Sequence, residues 1–245
     1  TGSFGTDFNH PGNQTVDGRG YLDLNYRRSI STGTEFNARL FYDYYRYEGD
    51  YLYSGEINKD SCLGEWWGVE SRLAGTWKDR HKWVLGLEYT DNFRQEQKNY
   101  LQDPYRPLLD EKRSGRNWAL FFQDEIPLWK KLILNAGIRY DGYQSFGGVW
   151  NPRLALIFQA REGTFLKLLY GKAFRAPNVY ERYYHDQGRT SKPNPELNPE
   201  TITTYEGVWE QYFGKYFRTR ASLYLYRIDD LISLTLDPAD GLMVF

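Results

Sequence analysis

The stretch RNWALFFQDEIPLWKKLILNAGIRYDGY, residues 116–143, decides the fold class because apolar side chains recur at alternate positions. In its first half Trp118, Leu120 and Phe122 lie on one face of the chain, opposite polar or small residues except for Phe121. The second half alternates in the same way over residues 132–141, beyond the short connection PLWK. Alternation with period two over about ten residues is typical of β-strands. The stretch therefore predicts two strands joined by a tight turn.

About ten such segments follow one another along the chain, and no helical segment is indicated. Each is longer than the roughly five or six residues usual for a strand of a soluble protein. Their lengths are close to the roughly 9–11 residues that a tilted strand needs to cross a bilayer. The segments cover residues 19–29, 33–47, 65–77, 81–93, 116–127, 131–142, 151–160, 164–174, 201–213 and 216–229.

The connections between these segments alternate between short and long. KDRH, PLWK and REG are short, whereas residues 48–64, 94–115, 143–150 and 175–200 form long connections. This pattern is typical of outer-membrane barrels, which have tight turns at one end and extended loops at the other. A one-sided antiparallel sheet with a solvated face explains single strands equally well, but not the strand lengths together with the loop pattern. We therefore predict an all-β fold, an antiparallel membrane β-barrel segment of about ten long strands with alternating short turns and long loops.

The composition narrows the function classes. The chain has 245 residues, of which 40% are hydrophobic and 18% aromatic. Its formal net charge of -1 provides no basic field for nucleic acid. The single cysteine, Cys62, excludes an intrachain disulfide and a Cys-based zinc cluster. No run of about 18 apolar residues is present, so no transmembrane helix is predicted, but the alternating strands of a barrel would escape that test.

The distribution of side chains over the two faces agrees with a membrane barrel. The polar face carries mid-strand charges such as Glu88, Arg139 and Arg153. They suit a wet lumen and would be costly in the core of a sandwich. Aromatic residues such as Trp67 and Trp129 cluster at the predicted strand ends, which favours an aromatic girdle at the membrane interface. Ordinary cross-strand pairing of aromatic rings is the alternative.

Three motifs in the second half of the chain carry a resemblance to a known family. They are YGKAFRAPNVYE (170–181), NPELNPETITTYE (194–206) and YRIDDLI (226–232). In this order they resemble the C-terminal half of the TonB-dependent outer-membrane receptors. The resemblance covers roughly residues 115–235 well, and the first 110 residues match only in style.

This resemblance implies a barrel of about 22 strands with a plug domain inside, in the outer membrane of a Gram-negative bacterium. Members of the family import iron–siderophore complexes, haem, vitamin B12 or other scarce nutrients. Residues 1–245 are expected to form part of the barrel domain, because no plug domain or TonB box has a match in them. The implied partners are a small-molecule ligand such as an iron chelate, the TonB energy-transducing complex acting through the plug, and outer-membrane lipid. No cofactor and no nucleic acid is implied.

The first motif is expected to have architectural roles. Gly171 would permit a close approach of backbone within the strand, and Pro177 would end the hydrogen-bond ladder because it has no N–H. We expect Arg175 to form a salt bridge at the external rim, with Glu181 or Glu200 as its partner.

Contacts to a ligand are expected from the external loops. Arginine and tyrosine together suit an anionic, aromatic iron chelate through charge-assisted hydrogen bonds and stacking. The alternative is a solvated loop with incidental charges. The candidates are Arg94, Tyr100, Tyr105 and Arg106 in the loop 94–115, and Tyr183, Tyr184, His185 and Arg189 in the loop 175–200.

Signals for other functions are weak. The sequence has no G-x-S-x-G, H-E-x-x-H or P-loop motif, so an enzyme is not predicted and no catalytic residue is assigned. His185 beside Asp186 is a faint indication of an outer-membrane hydrolase, and a single histidine is a poor metal site. We predict TonB-dependent active uptake of a scarce nutrient, foremost an iron–siderophore complex. A passive porin or a structural outer-membrane β-protein is the alternative.

Overall fold

The computed structural model describes residue 6 and residues 9–53, 55–78 and 80–245. Most of these residues belong to one ten-stranded antiparallel sheet. Its strands are β1 (Gln14–Ser31), β2 (Thr34–Tyr53), β3 (Glu56–Trp77), β4 (His81–Leu101), β5 (Arg106–Trp129), β6 (Leu132–Tyr143), β7 (Gly147–Arg161), β8 (Thr164–Arg175), β9 (Glu200–Phe213) and β10 (Phe217–Asp229). A short helix, α1 (Val179–Tyr183), lies between β8 and β9, and a ribbon of β11 (Thr235–Leu236) and β12 (Met243–Val244) follows β10. No helix among the described residues is long and apolar enough to span a membrane.

The strands are arranged in the sheet in the order of the sequence. Each strand pairs antiparallel with the next, and β1 and β10 form the two edges. The all-β class and the ten antiparallel strands predicted from the alternating pattern are confirmed. At one end of the sheet the connections between consecutive strands are all short, and we call this the short-turn end. The opposite end, which carries the 176–199 connection between β8 and β9, is the long-loop end.

The first two predicted long loops are wrong, because strands run through them. Within residues 48–64, β2 and β3 remain paired, with Asp50 opposite Lys59. Within residues 94–115, β4 and β5 remain paired in the same way. Both faces of these extensions carry polar side chains, so the alternation that indicates a strand disappears while the backbone ladder continues. The strands therefore extend well beyond the apolar part of the sheet.

The other two predicted long connections have different outcomes. In place of the predicted 143–150 connection, only residues 144–146 separate β6 from β7. The predicted 175–200 connection is present as residues 176–199 and contains α1, a helix that the alternation analysis did not indicate. Its five residues are too few to show a helical period.

The outer face of the sheet carries an apolar band between two sets of aromatic rings. Trp67 and Trp77 lie on this face of β3, ten residues apart in the sequence, a separation that matches a strand crossing a bilayer. At the level of Trp67, aromatic side chains of neighbouring strands contact one another, as an interfacial girdle requires. The ring centroids are 5.6 Å apart for Trp67–Tyr89, 5.3 Å for Trp118–Tyr140, 4.7 Å for Tyr140–Trp150 and 5.2 Å for Tyr170–Tyr205.

The inner face carries charged side chains that pair with one another. The Arg39 guanidinium lies 2.6 Å from an oxygen of Asp23 and 2.8 Å from one of Glu70, and so bridges β1 and β3. Arg139 similarly lies 2.5 Å from Glu88. Pairing of this kind offsets part of the cost of removing charges from bulk water. The inner face is thus polar at the level where the outer face is apolar.

A β-bulge in β4 changes which side chains face inward above the aromatic girdle. Asp91 is opposite Trp67 of β3, but Arg94 is opposite Glu65, so β4 has one residue more than its neighbour in this interval. Arg94 is therefore on the outer face, together with Glu65 and Tyr42, whose hydroxyl donates to Glu65 at 2.6 Å. The inward positions that follow the bulge in β4 are residues 95, 97 and 99.

Candidate functional site

A cavity of about 900 Å³ lies at the long-loop end of the inner face, between β3–β5 and the segment that carries α1. One wall is the extended part of the sheet, and the other is residues 177–183. Aromatic side chains line it together with many polar and charged ones, so it can offer both ring faces and hydrogen-bonding groups to a small molecule. The lining includes Trp66, Gln97, Arg113, Tyr143, Tyr180 and Tyr183.

Helix α1 begins at a capping box, which fixes its position beside the cavity. The Asn178 side chain accepts a hydrogen bond from the backbone N–H of Glu181 at 2.9 Å. The Glu181 carboxylate in turn accepts from the backbone N–H of Asn178 at 2.8 Å. These reciprocal bonds satisfy two N–H groups that a helix start otherwise leaves unpaired. The spacing N-x-x-E in the sequence was the available signal for this helix.

Arg182 brings a buried positive charge to the edge of the cavity. Its side chain donates to the backbone carbonyl of Pro195, with Nε at 3.1 Å, and to that of Ser145 at 3.3 Å. The residue is only 6% exposed. In the described part of the chain, no carboxylate lies within 4.0 Å of its guanidinium. Arg182 therefore joins three segments of the chain and leaves its charge without a counter-ion from them.

Arg113 and Tyr183 contact each other across the cavity. The guanidinium carbon of Arg113 lies 3.8 Å from the centroid of the Tyr183 ring, a cation–π contact between β5 and α1. Arg113 also donates to Glu111 at 3.0 Å. Its Nε and the Oε1 of Gln97 are both buried without a hydrogen-bond partner among the described residues. One buried donor and one buried acceptor in this wall are thus left unpaired by the described residues.

The loop candidates His185 and Arg189 do not line the cavity. Tyr183 lies in it, and Tyr184 lies directly behind, where its hydroxyl accepts a hydrogen bond from the buried Asn99 side chain at 2.9 Å. Burial raises the pKa of the Tyr184 hydroxyl. His185 accepts from the backbone N–H of Gln187 at 3.3 Å, and Arg189 is exposed. The structure therefore brings two of the four candidates of this loop to the cavity region.

Of the candidates in the predicted loop 94–115, only Arg94 borders the cavity, because all four lie on strands and a tight turn instead of a loop. The guanidinium of Arg94, however, pairs on the outer face with Glu65 and Glu96, each at 2.9 Å. These hydrogen bonds, with Glu96 first, raise the pKa of Arg94. Tyr100 and Tyr105 form a ring pair at the β4–β5 turn with centroids 5.5 Å apart, and Arg106 is exposed.

Several lining residues were not among the sequence-derived candidates. Trp66 faces inward, whereas its neighbour Trp67 belongs to the outer girdle. A glutamine such as Gln97 does not by itself indicate a ligand contact, and Gln97 faces inward only because of the bulge. Arg182 lies within the candidate loop, and a sequence does not show that its side chain is buried.

Hydrogen bonds and an ion pair beyond α1 also hold the 176–199 loop in place. Asp186 accepts backbone hydrogen bonds from Arg189, Thr190 and Ser191, each at 3.0 Å. Burial pushes the pKa of Asp186 upward, but these bonds outweigh it and hold the pKa below its ordinary value. Lys192 binds Asp237 at 2.5 Å, in the segment that joins β11 to β12. The 176–199 loop and the β11–β12 ribbon are therefore attached to each other.

No group of three or more His, Cys, Asp or Glu side chains is arranged to hold a metal ion in the described ranges. The candidate site is therefore the cavity lined by aromatic, arginine and amide side chains.

Residues 1–243 match the family model described as TonB dependent receptor-like, beta-barrel. The chain belongs to this TonB-dependent receptor family. The family and the relatives that follow are receptors and transporters, not enzymes.

Two curated proteins illustrate the similarity of this receptor barrel at the sequence level. The vitamin B12 transporter BtuB of Vibrio cholerae serotype O1 is 31% identical over 136 residues, which are 55% of this chain and 21% of the transporter. The ferric enterobactin receptor of Pseudomonas aeruginosa is 35% identical over 68 residues, 28% of this chain and 9% of that receptor. The match thus spans about a fifth, or less, of the length of these relatives.

Solved structures share the fold of the receptor barrel over almost its whole length. The copper transporter OprC superposes with a TM-score of 0.72 at 16% identity, over 95% of this chain and 42% of OprC. The unliganded ferric citrate transporter FecA gives 0.68 at 15% identity, over 94% of this chain and 37% of FecA. At such identities the likeness concerns the fold alone.

Within the receptor barrel, the motif that begins at Tyr170 forms the corner between β8 and the loop. Arg175 pairs with Glu181 at 2.7 Å and with Glu200 at 3.5 Å, so both expected partners are present. These contacts, with Glu181 first, raise the pKa of Arg175. The ladder between β8 and β9 ends at Arg175, two residues before Pro177. The expected close approach at Gly171 is wrong, because an added Cβ would meet only the Arg153 side chain, at an ordinary 4.0 Å.

Proposed function

We propose that this chain forms part of the wall of an outer-membrane receptor of a Gram-negative bacterium that takes up an iron–siderophore complex. The observation that carries the proposal is the cavity beside α1, with its uncompensated Arg182 charge and its aromatic lining. Sequence similarity to the ferric enterobactin receptor supports the same ligand class.

The chemistry of the cavity suits an anionic chelate with flat, unsaturated groups. Arg182 attracts an anion because no carboxylate of the described residues neutralises it. Arg113 adds a second guanidinium, which covers the ring of Tyr183. Stacking and cation–π contacts of this kind are each worth about 0.5–2 kcal/mol when water is excluded. A neutral or cationic nutrient would gain nothing from the Arg182 charge.

In this proposal the ligand is captured at the long-loop end and passes along the polar inner face. Energy for its passage comes from the TonB complex acting through a plug domain, and outer-membrane lipid surrounds the apolar outer band. Membership of the TonB-dependent receptor family favours this active mechanism over a passive porin or a structural β-protein.

Vitamin B12 is the second candidate ligand. It is favoured by one observation, the 31% identity over 136 residues to a vitamin B12 transporter. A comparison of both ligand classes on the same protein separates the two candidates.

The test is a binding titration of the full-length receptor with ferric catecholates, ferric citrate, cobalamin and copper. We expect a ferric chelate to bind most tightly and Arg113→Gln to weaken that binding by about tenfold, because a charged donor and its stacking partner are lost. Arg106→Gln, on the same strand but away from the cavity, is the matched control and should leave the affinity unchanged.

Preferential binding of cobalamin would shift the proposal to the second candidate. Equal losses in Arg113→Gln and Arg106→Gln would show that the cavity is not where the chelate binds.

A further inference from the structure

Two hydrogen bonds join the 176–199 loop to the inner face of the sheet. Tyr184 accepts from Asn99 of β4, and Gln187 donates to the Pro107 carbonyl of β5 at 2.9 Å. Asn99 also forms a reciprocal pair with Asn58 of β3, at 2.7 Å and 3.1 Å. The loop therefore docks on a small polar platform whose hydrogen bonds are sensitive to any nearby charge.

One carboxyl group lies beside this platform without a cation. Asp60 is on the inward side of β3, two residues from Asn58 and directly opposite Asn99 of β4 in the strand ladder. Within the described ranges no lysine or arginine pairs with Asp60. The adjacent Lys59 binds Asp50 at 2.8 Å instead, on the opposite face.

The ionisable groups that interact with Asp60 are weak acids. They are Tyr47 of β2, Cys62 of β3, and Tyr180 and Tyr184 of the loop. Beyond them lie further acids, namely Asp17 of β1, Tyr51 and Tyr53 of β2 and Asp186 of the loop. Lys98 of β4 faces the other side, 3.6 Å from Asp110 of β5. None of these groups compensates a negative charge on Asp60. Ionised Asp60 thus weakens the docking of a loop that covers it.

We propose that the protonation state of Asp60 controls how firmly the 176–199 loop is docked on the receptor wall, with the protonated form favouring the docked loop. This inference rests on the proposed function in one respect, because it takes the cavity beside the docked loop to be the ligand site. Docking of the loop itself does not depend on which ligand is bound.

The direction of the pH dependence follows from burial. Burial raises the pKa of Asp60 from an ordinary value near 4 to about 6. The docked loop is therefore most stable below about pH 4 and loses stability as the pH rises towards about 6. A difference of about two pH units corresponds to a docking equilibrium that changes by up to about a hundredfold.

Hydrogen–deuterium exchange of residues 179–187 in the full receptor, without ligand, measures docking directly. After correction for intrinsic exchange, we expect protection to fall between pH 4.5 and pH 7 by about ten- to a hundredfold. Asp60→Asn should keep the loop protected at pH 7 and remove the pH dependence. Asp50→Asn, which changes the carboxylate on the opposite face, and His185→Gln, which removes the loop histidine, should both retain it.

A wild-type loop with the same protection at both pH values would overturn the inference. So would a pH dependence that persists unchanged in Asp60→Asn, because another group would then be responsible. Since no ligand is present, failure of the receptor to bind any tested nutrient leaves this result unaffected.

Discussion

Arg182 shows how one side chain assembles a site from distant parts of the chain. It follows the first turn of α1, yet its donors bind carbonyls of the β6–β7 turn and of the returning limb of the loop. A lysine has a single ammonium group and cannot reach two carbonyls in the fixed fork geometry of a guanidinium. The position of Tyr183 beside Arg113 depends on this arrangement, because Tyr183 is the next residue.

Replacement of Arg182 by methionine should loosen the loop. The two carbonyls lose their donors in a partly buried place, which costs about 1–3 kcal/mol and raises the opening constant of the loop by roughly 5- to 150-fold. Limited proteolysis within residues 176–199 of the full receptor measures this opening.

Arg189→Met is the matched control on the same loop, since Arg189 is exposed and its side chain does not line the cavity. Cleavage of Arg182→Met at the wild-type rate would contradict the role given to Arg182.

Tyr183 and Tyr184 were predictable as candidates from the sequence, but the side chains around them were not. The signal was the occurrence of tyrosine and arginine together in one loop, which the sequence shows directly. The orientation of Arg94 was not predictable, because one extra residue in β4 reverses the faces of all positions that follow. Gln97 became a wall residue through the same bulge.

The strands were predictable where the two faces differ in polarity. Alternation over residues 116–143 indicated β5 and β6, and it continues wherever one face is apolar and the other polar. Beyond the girdle both faces carry polar side chains, so β2–β5 continue by backbone pairing alone and the sequence resembles a loop there. The length of the strands was therefore underestimated mainly at the long-loop end.

Two adjacent residues of β5 test the assignment of faces. Phe122 is on the outer face near the middle of the apolar band, and Gln123 faces inward, where it donates to Asn135 at 3.0 Å. Phe122→Arg should destabilise the receptor by about 2–4 kcal/mol, because a charge then enters the hydrocarbon region. Gln123→Arg should cost far less, because the inner face is polar.

Urea titrations of the full receptor in lipid vesicles compare the two variants. A larger loss of stability in Gln123→Arg than in Phe122→Arg would mean that the two faces are assigned the wrong way round.

The sheet as a whole is a ten-stranded sheet with two edge strands, β1 and β10. Unpaired edges expose backbone donors and acceptors, which a membrane does not tolerate. In the assembled receptor we expect both edges to pair with further strands, as the family implies. The family itself was predictable from three motifs in a fixed order. The ligand was not, because the cavity arises from β3–β5 and a loop that are far apart in the sequence.

The most direct test of the central claim is iron uptake by cells that express the full receptor, measured with and without a functional TonB protein. We predict that uptake of a ferric chelate requires TonB and falls in Arg113→Gln but not in Arg106→Gln. Uptake that continues at the same rate without TonB would contradict it and would favour a passive pore.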